Sequence, residues 1–149
     1  IGLFRRPGKR DREIVQASLE RVQMARLAHK QIGELSGGQQ QRVFIARALA
    51  LEANLLLMDE PLAGLDMPSQ EAMLDILHSL RPDKVTVLLA THDLGVAAER
   101  FDRVMLLHKQ IVALGPATAV LTTTNLAAAY GGHIPTHSNG TANPMATGG

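Results

Sequence analysis

Two short apolar runs, Leu55-Leu56-Leu57-Met58 and residues 85–90, each stop abruptly at polar residues: Asp59-Glu60-Pro61 after the first and Thr91-His92-Asp93 after the second. An unbroken apolar run of this length predicts a strand buried on both faces, because a strand with one wet face would alternate. Residues 68–80, between the two runs, read as a helix. Strand, helix, strand in that rhythm predicts a parallel α/β sheet. In such sheets ligands bind beyond the carboxyl ends of the strands, which is where Asp59, Glu60, His92 and Asp93 fall, so these four side chains are expected to converge.

The flanking segments fill out the fold. Residues 2–10 read as a loop around Pro7-Gly8. Residues 11–26 carry Ile14, Val15, Leu19 and Val22 at helical spacing, with Asp11 and Glu13 near the positive end of the helix dipole. Ser36 precedes two glycines and a second helix over residues 39–50, and Gln39 three residues on completes a capping box. A short helix is expected after Leu94. Residues 103–107 and 111–114 read as a hairpin broken at Lys109-Gln110, and short helices are expected over 118–121 and 125–130. The tail from Gly131, rich in Gly, Thr, Asn and Pro, is expected to be disordered.

Composition excludes several classes. The 149 residues suit one ordinary domain, and no apolar run approaches the length that spans a bilayer. Cys is absent, which excludes a disulfide framework and thiolate metal sites and fits a reducing compartment. Net charge is +1, but residues 1–30 hold eight basic side chains against three acidic ones. Aromatic residues are only 3% of the chain, too few for stacking on single-stranded nucleic acid, so this basic start reads as a solvated face and no nucleic-acid partner is expected. There is no signal-peptide pattern, and an opening at Ile1 rather than Met leads to the expectation of a fragment or processed product.

Two adjacent acids after an apolar strand suit nucleotide hydrolysis: one carboxylate can hold Mg2+ while its neighbour orients or deprotonates the attacking water. The plainer reading is that they open a turn before Pro61. His92, just past the second strand, could hydrogen-bond a phosphate oxygen or be structural. His133 and His137 are four apart, but Pro135 denies them the helix that would make them a metal pair. The most specific stretch is Leu35-Ser36-Gly37-Gly38-Gln39-Gln40-Gln41-Arg42. Its glycines admit close backbone approach, and the amides opening the following helix form an anion site to which Ser36 adds a hydroxyl. A capped helix start would explain the serine alone.

Together these residues resemble the ATP-binding subunits of ABC transporters. Residues 35–42 resemble the signature motif, Leu55-Leu56-Leu57-Met58-Asp59-Glu60-Pro61 the Walker B motif, Leu62-Ala63-Gly64-Leu65-Asp66 the D-loop, and Thr91-His92-Asp93 the switch-histidine segment, in the family's order. The resemblance implies an ABC ATPase domain fragment of the P-loop NTPase-like class, with a parallel sheet core and a remnant of the helical subdomain. Residues 1–50 would form the helical signature region, 51–130 the remainder of the catalytic core and 131–149 a disordered tail. It further implies that Asp59 helps hold Mg2+, Glu60 is the general base, His92 contacts the γ-phosphate and Asp66 couples two sites of a dimer. Ser36, Gly37, Gly38 and Gln39 would contact ATP held by the opposite subunit. Implied partners are a second ATPase subunit, membrane-spanning permease subunits and a substrate-binding protein, with the chain peripheral on the cytoplasmic face of the membrane. The stretch from Gly2-Leu3-Phe4-Arg5-Arg6-Pro7 through the first helix resembles manganese, zinc and iron importers, and residues 111–116 also resemble importer subunits.

The chain departs from the family in one respect. A phosphate-binding loop requires G-x-x-x-x-G-K-[ST]. Gly8-Lys9 is a decoy: Gly2 lies six residues before Gly8, Arg10 stands at the hydroxyl position and no strand precedes it. The phosphate loop and glutamine loop are expected to lie before Ile1, leaving the isolated chain inactive. Two alternatives follow: a non-catalytic remnant or regulatory module, and a soluble ABC-type ATPase acting on DNA or translation. The second would call for coiled-coil insertions or tandem cassettes, and neither occurs in these residues.

Overall fold

A computed structural model describes residues 8–131. The expected tail disorder beyond Gly131, the His133/His137 pair and most of the expected loop over residues 2–10 lie outside the described residues. Contacts divide the chain into two units, Ile1–His92 and Asp93–Gly149.

In the first unit, helix α1 (Lys9–Arg21) starts earlier and ends earlier than the periodicity predicts. It starts early because the Asp11 carboxylate accepts the Gly8 amide at 2.8 Å, closing the first turn before the apolar face begins. It ends early because Gln23 takes a left-handed backbone (φ 60°), which lets Val22 and Met24 turn fully into the core. Two tight turns, Ala25–Leu27 and Ile32–Glu34, lead to α2 (Gly37–Ala50). Strand β1 (Leu55–Asp59), helix α3 (Met67–Ser79) and strand β2 (Thr86–Ala90) follow. The strands pair in parallel, Leu55 with Thr86 through Asp59 with Ala90, as the strand–helix–strand order predicts.

Helix α3 is the centre of this unit. Met73, Leu74, Ile76, Leu77 and the following Leu80 are at most 3% exposed, each contributing roughly 1.5–3 kcal/mol by burial. Arg21 ties α1 to the turn after α3 by donating to the Ser79 carbonyl at 3.0 Å and pairing with Asp83. The expectation that both strands are buried on both faces is wrong. Leu56 is buried, but Leu55, Leu57 and Leu88 on the opposite face are 48–69% exposed. Among the described residues the sheet has two strands, and one of its faces carries no covering layer.

The second unit packs α4 (Leu94–Arg100), the antiparallel hairpin β3 (Val104–His108) and β4 (Gln110–Gly115), α5 (Ala117–Val120) and α6 (Thr123–Tyr130). Val104, Leu106, Val120 and Ala129 form its core. The hairpin turns on Lys109 alone, whose positive φ of 58° reverses the chain.

Candidate functional site

The end of β1 places the two adjacent acids differently. Asp59 is the last strand residue, in register with Ala90 and exposed. Glu60 still donates its amide to the Ala90 carbonyl at 3.0 Å, but its backbone is left-handed at φ 44°, an uncommon conformation for a residue with a side chain. That turn sends its carboxylate across to the end of β2. There Oε1 accepts the His92 backbone N–H at 3.1 Å and lies 2.8 Å from His92 Nδ1. The pair sits at the rim, with the His92 side chain 82% exposed and that of Glu60 37% exposed. With its proton on Nδ1, His92 donates to Glu60 and turns Nε2 away from it.

Convergence of the four polar side chains is therefore incomplete. Glu60 and His92 meet, whereas the Asp93 carboxylate accepts the Val96 amide at 3.0 Å and caps α4 in the second unit. A short polar side chain before a helix satisfies an orphan amide more readily than it reaches across a sheet end.

The segment opening α2 forms the expected capping box. Ser36 Oγ accepts the Gln39 amide at 3.4 Å, and Gln39 Oε1 accepts the Ser36 amide at 3.0 Å. Gly37 and Gly38 then occupy the first two helical positions, whose amides have no partner within the helix. A Cβ on Gly37 would meet nothing within 4 Å, so the space before it is open. Gly38 is different: its Cβ would lie 3.1 Å from Leu65 Cδ2, so any other residue here would push the Leu65 side chain back by a few tenths of an ångström.

Leu65 belongs to the turn that leads into α3, where Gly64 has φ 71° and Asp66 caps the helix by accepting the Ser69 amide at 3.0 Å. The Ser69 hydroxyl, and after it the Ser69 amide, hold the exposed Asp66 carboxyl below its ordinary pKa. Two residues with no assigned role in the sequence reading emerge beside these loops. Gln40 donates to the Leu35 and Ile32 carbonyls at 3.0 and 3.1 Å, and Gln70 to the Leu65 and Leu62 carbonyls at 3.0 and 3.4 Å. The only signal in the sequence is a glutamine four residues after each capping residue.

Asp59 and the open helix start have the chemistry that Mg2+ and a triphosphate require. Mg2+ keeps several waters and takes one or two carboxylates together with phosphate oxygens, so a single exposed Asp59 suits it. Among the described residues no group of three or more His, Cys, Asp or Glu side chains could hold a metal unaided.

A parallel α/β unit with acids beyond one strand, a histidine beyond the next and a glycine-opened helix defines a partial nucleotide-hydrolase fold of the ABC ATPase type. The chain belongs to the ABC transporter family of ATP-binding subunits, whose sequence profile, described as "ABC transporter", matches residues 5–63. It is 45% identical over 138 residues to the manganese transport system ATP-binding protein of Halalkalibacterium halodurans, covering 93% of this chain and 55% of that one. Over 134 residues it is 43% identical to the zinc transport system ATP-binding protein of Treponema pallidum, covering 90% of this chain and 50% of that one. In three dimensions it matches the ADP conformation of an ATP-binding cassette of an ABC transporter with a TM-score of 0.75 at 26% identity, covering 89% of this chain and 54% of the other. The chain thus spans about half the length of the curated relatives it matches.

Proposed function

We propose that this chain forms the signature-and-hydrolysis part of an ATP-hydrolysing importer subunit that drives uptake of a solute, a divalent metal ion by analogy with the manganese and zinc relatives. The observation that carries the reading is the Glu60–His92 pair at 2.8 Å, an acid and an imidazole joined at the polar end of a parallel sheet.

Glu60 is the general base. Oε1 is occupied by His92, which fixes the carboxylate and leaves Oε2 to take a proton from a water. His92 orients the base through Nδ1 and presents Nε2 outward toward a phosphate oxygen. Asp59 is the Mg2+ ligand, and when bound the ion neutralises phosphate charge as it develops. Ser36, the Gly37 and Gly38 amides and Gln39 contact ATP held by a second copy of the subunit, and Asp66 links the two sites. The division into 1–50, a helical signature region, and 51–130, catalytic core, belongs to the same proposal.

Permease subunits and a substrate-binding protein complete the assembly, with the subunit peripheral on the cytoplasmic face of the membrane. No helix among the described residues is long and apolar enough to cross a membrane. A groove of about 530 Å3 between α1 and α2, lined by Ile14, Val15, Leu19, Ile32, Val43 and Leu51, offers apolar surface to such a partner.

The test is Mg-ATP turnover by a subunit of the relatives' full length that carries this chain. Glu60→Gln is expected to keep ATP binding and to lower turnover by roughly 10²–10⁴-fold; near-normal turnover removes Glu60 from this role.

A further inference from the structure

Two loops of the first unit are built alike, residue for residue. In each, a capping side chain accepts the amide three positions on: Ser36 from Gln39 and Asp66 from Ser69. In each, a glutamine four positions after the cap reaches back over it and donates one amide group to two carbonyls. Gln40 bonds Leu35 and Ile32, and Gln70 bonds Leu65 and Leu62, five and eight residues back in both cases. The carbonyls so held belong to the backbone that enters each helix, and in both loops the farther one also accepts a backbone amide, Ile32 from Leu35 and Leu62 from Leu65. The two loops also touch: the Leu65 side chain lies so close to Gly38 that a Cβ there would be 3.1 Å away.

We propose that Gln40 and Gln70 are paired positioning residues, which lock residues 32–36 and 62–66 into one body so that the α2 amides and the Asp66 carboxylate are presented together. This rests on the reading that these loops meet ATP and a second subunit, and it gives a role to two residues that had none in the motifs. A glutamine suits the task because its planar amide carries two donors and no charge, so it can hold two carbonyls without attracting a phosphate itself. The link also predicts cross-talk: loosening the loop after β1 loosens the start of α2 through Leu65.

The experiment is amide hydrogen exchange on the full chain, read residue by residue, with Gln70→Met, which keeps length and loses the donors, and Gln70→Lys, one bond longer, which restores donors. In Gln70→Met, exchange at the Leu65 and Gln70 amides, bonded to Leu62 and Asp66, is expected to quicken roughly 3–10-fold, the scale of one or two net hydrogen bonds. The Gln40 amide, bonded to Ser36, should quicken in the same variant, while the α3 core amides of Leu74 and Leu77 keep their protection. Gln70→Lys should recover most of the protection. Unchanged exchange at Leu65, equal loss throughout α3, or no change at Gln40 overturns the proposal. A separate arm measures ATP-dependent association of the full-length subunit. There Gln70→Met should raise the ATP concentration for half-maximal association several-fold, and an unchanged concentration overturns the joint presentation of the two loops. If the unsubstituted subunit shows no ATP-dependent association, the nucleotide reading fails while the exchange result still decides the coupling of the loops.

Discussion

At the scale of single residues, the site is made by backbone conformation as much as by side-chain identity. Glu60 reaches His92 because its own φ is positive; in a continuing strand the same carboxylate would leave the sheet on the opposite face from Asp59. Gly37 and Gly38 look interchangeable in sequence but not in space, since one faces open space and the other Leu65. Ser36 is exposed and its hydroxyl makes only a long capping bond at 3.4 Å, so its substitution need not unfold the helix. Ser36→Arg in the full-length subunit is therefore expected to leave the helical circular dichroism and melting temperature nearly unchanged and to abolish ATP-driven dimers. Light scattering that still finds those dimers would contradict the signature assignment.

At the scale of elements, α3 shows how sequence, cap and packing cooperate. Asp66 and Pro68 start the helix, Gly64 makes the sharp approach, and the apolar face of Met73, Leu74, Ile76 and Leu77 fills the core. The cap carries a pH signature. A carboxyl whose folded pKa is depressed contributes stability above its unfolded value and loses it as pH falls through the folded value. The Asp66 contribution should accordingly be complete above 3.8 and fade only at lower pH. The Ser69 amide resonance is expected to titrate with a midpoint below 3.8, and Asp66→Asn, which keeps an acceptor, should abolish that titration. A midpoint at or above the ordinary value would show that the Ser69 contacts do not hold in solution. Most elements were legible because their signals are local: the capping box, the apolar runs and the hairpin break. Their boundaries moved where a single residue took a left-handed backbone, as Gln23 did at the end of α1, and no hydrophobic period announces that.

At the scale of the whole molecule, the chain holds the acids proposed to act on a phosphate without a loop of the kind that would hold the phosphate. No G-x-x-x-x-G-K-[ST] occurs in its 149 residues, and Asp59 and Glu60 repel a bare triphosphate. Calorimetric titration of the chain with Mg-ATP is expected to show no saturable binding at millimolar concentration or tighter and no turnover. One-to-one binding in the micromolar range, abolished by Asp59→Ala, would show that the other groups suffice. The open sheet face is a second consequence at this scale, since Leu57 at 69% exposure beside Leu88 gives the chain apolar surface suited to association.

The sequence by itself determined the class of fold, the parallel pairing of two strands and the residues that carry the family's motifs. These depend on spacing along the chain, which local periodicity and short motifs encode directly. Only the tertiary structure decided that the Glu60 carboxylate reaches His92, that one sheet face is uncovered among the described residues, and that Leu65 rests on Gly38. Each of those outcomes is a competition between partners distant in sequence for one amide or one patch of apolar surface. Such a competition is resolved by distance in space, which spacing in the chain does not contain.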